Sequence, residues 1–191
     1  IDPLDGTKDF IQMTGEFSIM IGLVKSGIPR LGVVFAPAMD KLWYGCKKGG
    51  SYLIRTNGGD ETQPIQIFSS DQNRIEEANM VVSRNHFSDD LRKIANMIGV
   101  RNFTKMGSVG VKYCNIAQGE VDLCIYTTNR LGLWDCCAPR AILKAAGGKV
   151  FNTEGREPQY DLVEKNMEDG FIGTNGNFKS AIMESLRSIG S

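Results

Sequence analysis

The apolar positions of the chain follow two regimes. Between residues 17 and 56 they form short dense runs at 17–24, 30–35 and 41–44, separated by Ser26-Gly27-Ile28-Pro29 and Pro37-Ala38-Met39-Asp40. Runs of that length bounded by turn residues predict three strands, and their close succession predicts an antiparallel meander. A polar stretch at Asn57-Gly58-Gly59-Asp60, followed by mixed polar sequence to residue 77, interrupts the pattern. From Ala78 onward the runs alternate. Strands are expected over 79–83 and 121–126 and near 101–106, 149–152 and 171–174, with helices over 89–98, 108–118 and from 177 to about 188. Leu91, Ile94, Ala95 and Ile98 fall on one helical stripe. So do Ala138, Ile142, Leu143 and Ala146, in a helix expected to begin near Asp135 with Pro139 in its first turn and to end at Gly147. The two regimes predict an incomplete α+β region over 1–75 and an α/β domain over 76–191.

Composition narrows the functional classes. A chain of 191 residues with 41% apolar content can bury a core. Lys plus Arg and Asp plus Glu number 22 each, so no overall field attracts a nucleic acid polymer or an anionic membrane. No apolar run approaches the roughly 20 residues of a membrane span. The five cysteines include the adjacent pair Cys136-Cys137 and form no C-x-x-C spacing, which reads as free thiols in a reducing, cytoplasmic setting. His86 is the single histidine, so a metal would be held mainly by carboxylates, which suit hard ions such as magnesium.

Two stretches carry candidate chemistry. In Asp2-Pro3-Leu4-Asp5-Gly6-Thr7 two carboxylates stand three apart, with proline stiffening the backbone between them and glycine permitting a tight turn after them. If Gly6 and Thr7 open a helical turn over 8–12, their N–H groups could face a phosphate. The same string also reads as a surface turn with capping aspartates. Downstream, Leu133-Trp134-Asp135-Cys136-Cys137-Ala138-Pro139 places Asp135 at a helix start. There it can serve as an N-cap, or can join Asp2 and Asp5 around a cation.

Together these stretches resemble the inositol monophosphatase superfamily of lithium-sensitive, magnesium-dependent phosphatases. Asp5 to Ile11, Gly15-Glu16-Phe17, Leu31 to Pro37, Ser83-Arg84-Asn85-His86 and Gly107 to Tyr113 are similar to its 3'(2'),5'-bisphosphate nucleotidase branch, the CysQ-type enzymes, which remove the 3'-phosphate of adenosine 3',5'-bisphosphate. The resemblance implies a layered α-β-α-β-α sandwich and two or three Mg2+ ions in the complete enzyme. It makes Asp2, Asp5 and Asp135 carboxylate ligands and Leu4 a ligand through its carbonyl. It assigns Gly6 and Thr7 to the scissile phosphate, and Ser83, Arg84, His86, Ser108 and Lys112 to the rest of the substrate. Read without it, Ser83 to His86 is a strand end and polar loop, Ser108 a helix N-cap and Lys112 a solvated helix face.

The resemblance also implies a substantial region ahead of Asp2, with long helices, a glutamate metal ligand and the groups that activate water. The water-activating catalytic residues are therefore unassigned here, and the chain alone is expected to be inactive. One face of the meander is then expected to be exposed, to be covered by that segment or by a second copy of the chain. An inositol phosphatase, a fructose 1,6-bisphosphatase-like sugar phosphatase and a non-catalytic metal- or phosphate-binding module are the competing readings.

Overall fold

The computed structural model describes residues 1–57, 60–85, 87–127, 131–160, 167 and 169–189. The first regime folds into an antiparallel sheet in which β1 (Asp2–Asp5), β2 (Ser18–Lys25), β3 (Ile28–Ala36), β4 (Lys41–Cys46) and β5 (Gly50–Asn57) lie side by side in chain order. Two short strands, β6 (Asp60–Glu61) and β7 (Ile65–Gln66), pair with β5 at the far edge. Lys25 pairs with Ile28 across Ser26 and Gly27, both at positive φ (54° and 70°). That is the geometry whose twist suits a two-residue hairpin.

The meander is longer than the three expected strands. Gly49-Gly50 and the polar end of β5 disguise a full-length strand as loop. Asp2-Pro3 disguises β1, whose proline is tolerated because β1 is an edge strand.

The second sheet has the order β11-β12-β10-β8-β9, with β8 (Asn79–Ser83), β9 (Asn102–Met106), β10 (Leu123–Tyr126), β11 (Lys149–Phe151) and β12 (Phe171–Thr174). β8 runs parallel to β9 and β10, while β12 opposes both its neighbours. Five α-helices and a 3-10 turn at Pro37–Met39 complete the structure among the described residues: α1 (Thr7–Ile11), α2 (Asp89–Ile98), α3 (Val109–Ala117), α4 (Leu133–Ala145) and α5 (Lys179–Ile189).

Side-chain alternation along the second sheet sets the layers. Val81, Cys124, Val150 and Phe171 join a core built with α3, α4 and the first sheet. Their neighbours Met80, Val82, Leu123, Ile125, Phe151 and Ile172 join a second core under α2 and α5. The protein is thus a layered α/β sandwich of sheet, helix pair, sheet and helix pair, and its larger core draws on residues from both sides of position 75.

The contact between α4 and the first sheet depends on missing side chains. Gly22, Gly32 and Gly45 are mutual partners across β2, β3 and β4, forming a glycine row perpendicular to the strands. A Cβ on Gly22 would collide with Cys137, one on Gly32 with the backbone of Ala138, and one on Gly45 would press on Ile142. Such strand glycines mark close backbone approach. The helix therefore lies along the row and delivers its N-terminal end to the β1 side of the sheet.

Candidate active site

That end carries Asp135, and β1 carries Asp2 and Asp5. In a regular strand, residues three apart point to opposite faces. Here Asp2 pairs with Met20 and Asp5 with Ser18, so three steps along β1 match two along β2. The extra residue is a bulge, which re-aims one side chain and lets both aspartates serve the same side. Ligand oxygens of Asp2, Asp5 and Asp135 consequently lie within 4.8 Å of one another.

One oxygen of each carboxylate is fixed by a local donor. Leu4 N–H donates to Asp2 Oδ1 at 3.0 Å, and Gly132 N–H to Asp135 Oδ2 at 2.7 Å. Asp5 Oδ2 accepts from Gly110 N–H at 2.9 Å and from the Ser108 hydroxyl. Asp2 and Asp135 also share a hydrogen bond, which a cation bound among the three carboxylates would replace. Asp135 is the third residue of α4, reaching back to Gly132 at the N-cap, rather than the N-cap itself. The helix starts two residues earlier than expected because Gly132 adopts the extended cap conformation (φ −73°, ψ 158°).

Electrostatics express the crowding. Burial first, then a hydrogen bond that the protonated carboxyl donates to Asp2 and the charge of Asp5, push the Asp135 carboxyl up to about 7. Burial also raises Asp5, against the hydrogen bonds from Ser108 and Gly110 and the charge of Lys112. Three carboxylates converging on one point, all oxygen donors, fit a hard divalent cation: such an ion would offset both the burial and the neighbouring negative charge that raise Asp135.

Beside the cluster lies a cleft of about 590 Å³ whose walls include Asp5, Gly6, Thr7, Asp9, Ser83, Ser108, Lys112 and Tyr126. Gly6, left-handed at φ 85°, turns the chain from β1 into α1, as the sequence predicts for a helical turn after the motif. The Thr7 hydroxyl donates to Leu4 O at 3.3 Å. Lys112 is only 2% exposed and lies inside a helix buried along its whole length, so it is not on a solvated face. Its ammonium donates to Tyr126 Oη at 2.9 Å, and burial lowers its pKa while nearby Cys124, Asp5 and Asp9 oppose that shift.

Arg84 has other partners than the cleft. Its guanidinium donates to Glu16 Oε1 at 2.7 Å and Oε2 at 3.2 Å and stands 3.7 Å from Asp9. Glu16 Oε2 also accepts from Gly107 N–H at 2.7 Å. This clamp ties the segment after α1 to the ends of β8 and β9. His86 lies outside the described residues. Tyr126, Asp9, Glu16, Ser18 and Gly110 were not singled out as site residues from the sequence. The ladder register that sets Ser18 opposite Asp5 is the signal that could have found one of them.

The inositol monophosphatase family model matches residues 1–191, and the chain belongs to that family. Among curated relatives, the 3'(2'),5'-bisphosphate nucleotidase CysQ of Salmonella typhimurium is 34% identical over 174 residues, 90% of this chain and 65% of that protein. Inositol monophosphatase 1 of Solanum lycopersicum is 30% identical over 194 residues, 98% of this chain and 65% of that protein. The chain thus spans about 65% of the length of these relatives. Among solved structures, CysQ from Bacteroides thetaiotaomicron superposes with a TM-score of 0.78 at 27% identity, covering 91% of this chain and 68% of that one. The IMPase of Thermotoga maritima also gives 0.78 at 27% identity, covering 99% and 68%. Among the described residues, no helix is long and apolar enough to cross a membrane.

Proposed function

We propose that this chain carries the cation- and phosphate-binding cleft of a magnesium-dependent phosphate monoester hydrolase acting on adenosine 3',5'-bisphosphate. The observation that supports this most is the convergence of Asp2 and Asp135 on Asp5, which lines a cleft together with the Gly6-Thr7 turn and a buried lysine. The CysQ resemblance, the stronger of the two curated identities quoted, favours a phosphorylated nucleotide over an inositol or sugar phosphate.

In this reading Asp2, Asp5, Asp135 and the Leu4 carbonyl would hold Mg2+, which would supply positive charge at the scissile phosphate and acidify a water. The Gly6 and Thr7 amides and the Thr7 hydroxyl hold the phosphate oxygens. Lys112, lining the cleft beside Tyr126, recognises the sugar or second phosphate, and Ser83 borders the nucleotide side, to which the resemblance also assigns His86. Lithium sensitivity, a role in sulfur metabolism and a cytoplasmic setting belong to the same proposal. So does the absence of turnover by these 191 residues alone, because the resemblance implies water-activating groups ahead of Asp2.

The test compares phosphate release from adenosine 3',5'-bisphosphate, inositol 1-phosphate and fructose 1,6-bisphosphate by a polypeptide extended to the length of the relatives. Preference for the nucleotide is the expected result. Preference for inositol 1-phosphate would overturn the nucleotidase assignment.

A further inference from the structure

Ser108 is expensive to keep where it is. Its backbone sits at φ 49° and ψ 131°, in the left-handed half of conformational space that favours glycine. The other described non-glycine residues with positive φ, Met13, Ser26 and Asp40, are exposed, whereas Ser108 is 5% exposed. A glycine would adopt this conformation freely, so the side chain must contribute something that the backbone does not need.

Its hydrogen bonds show what that is. Ser108 Oγ is bonded to Asp5 Oδ2, lies 2.9 Å from Ser18 Oγ and accepts from Val111 N–H at 3.1 Å. An ionised Asp5 has no proton to give, so the one hydroxyl proton of Ser108 goes to the carboxylate. Both lone pairs of Ser108 are then filled by Val111 N–H and by the Ser18 hydroxyl, which must be the donor. This fixes the direction of every bond. Gly110 completes the arrangement, because its N–H reaches the same Asp5 oxygen and a Cβ there would strike Ser18 Oγ and Met20 Sδ.

Resting on the cation site proposed above, we infer that Ser108, directed by Ser18, is a positioning residue: it locks the rotamer of Asp5 so that its other oxygen points at the cation. The role is distinct from the substrate contact that the family resemblance assigns to Ser108, and it needs no substrate to be observed.

Mn2+ titration followed by electron paramagnetic resonance, run on the 191-residue chain with urea unfolding in parallel, tests it. Loss of an outer partner of a metal ligand typically weakens binding by about 10- to 100-fold. Ser108→Gly and Ser108→Ala should both weaken Mn2+ binding by about 10-fold or more, while Ser108→Gly unfolds at higher urea than Ser108→Ala because the strain is relieved. Ser18→Ala should weaken binding in the same direction. Ser108→Gly binding Mn2+ as well as the wild type would overturn the inference, as would Ser18→Ala doing so for the directing role of Ser18. Asp5→Asn separates this from the underlying site. A wild-type chain that takes up no Mn2+, or an Asp5→Asn variant that takes it up unchanged, overturns the cation site and the inference with it. Wild-type uptake abolished by Asp5→Asn but untouched by Ser108→Gly overturns the inference alone.

Discussion

The two faces of the first sheet use apolar residues to different ends. The inner face presents Met20, Gly22, Gly32, Val34, Ala36, Trp43, Gly45 and Leu53, small or closely fitted groups against α3 and α4. The outer face presents Ile19, Ile21, Leu23, Leu31, Val33, Phe35, Leu42, Tyr44, Tyr52 and Ile54, all at least partly exposed, with Leu23 at 58% and Ile21 at 47%. The more bulky aliphatic set therefore lies toward solvent, and the glycine-rich set toward the core. Hydrophobicity alone does not say which face is buried; side-chain volume does, because the buried face must let a helix backbone approach.

The comparison can be broken most severely at Gly32. Gly32→Ala places a methyl on the Ala138 backbone and should cost about 3 kcal/mol in urea unfolding, at the upper end of overpacking effects. Cation affinity should fall with it, since α4 carries Asp135.

A second prediction concerns pH. The Asp135 carboxyl is raised in the folded state from the ordinary carboxylate range to about 7, so the folded chain binds more protons than the unfolded one between those values. Stability contributed by protonated Asp135 is full below about 4 and is lost as pH climbs through about 7. Chemical denaturation of the metal-free chain should show that decline. Saturating Mg2+ should flatten it, as should Asp135→Asn, whereas an outer-face substitution should leave it unchanged.

Glu16→Gln, which weakens the Arg84 clamp while keeping an acceptor for Gly107 N–H, should cost about 1 kcal/mol. The smallest effect belongs to the outer face. Leu23→Lys should change unfolding free energy by less than about 0.5 kcal/mol while reducing dye binding and self-association measured by light scattering. A loss comparable to that of Gly32→Ala would show that the outer face is packed after all.

Local signals were legible where pattern and punctuation agreed. α2 occupies 89–98 as expected because its stripe is clear, Ser88 caps it through Leu91 N–H and Gly99 ends it at φ 93°. β8 and β12 also have the expected bounds, 79–83 and 171–174. β1 was hidden because two acids and a proline carry no strand signature, although the bulge within it is what brings Asp2 and Asp5 together. Lys112 was named from the resemblance, but its burial was hidden for a related reason. A charge in sequence reads as solvent, and only the layering of α3 between two sheets shows otherwise. The acidic residues of the site were readable as residue types, but the Ser18-Ser108-Asp5 chain depends on a register between segments 90 residues apart.

The glycine row has a mechanical consequence. A trough restrains the helix that lies in it against lifting and rolling, and leaves sliding along it to be restrained by the helix's other partners. The height of Asp135 above the sheet is therefore set by Gly22, Gly32 and Gly45, whereas its travel toward β1 has to be stopped elsewhere. In this chain Arg140 and Lys144 pair with Glu157 and Ala146 O accepts from Ser69 further along the helix, while at the acidic end the Asp135-Gly132 link fixes the first turn and Asp2 and Asp5 stand across the gap. A cation bridging that gap would add a pin at that end of the track, so that its loss would change the restraint on the first turn of the helix as well as the local charge.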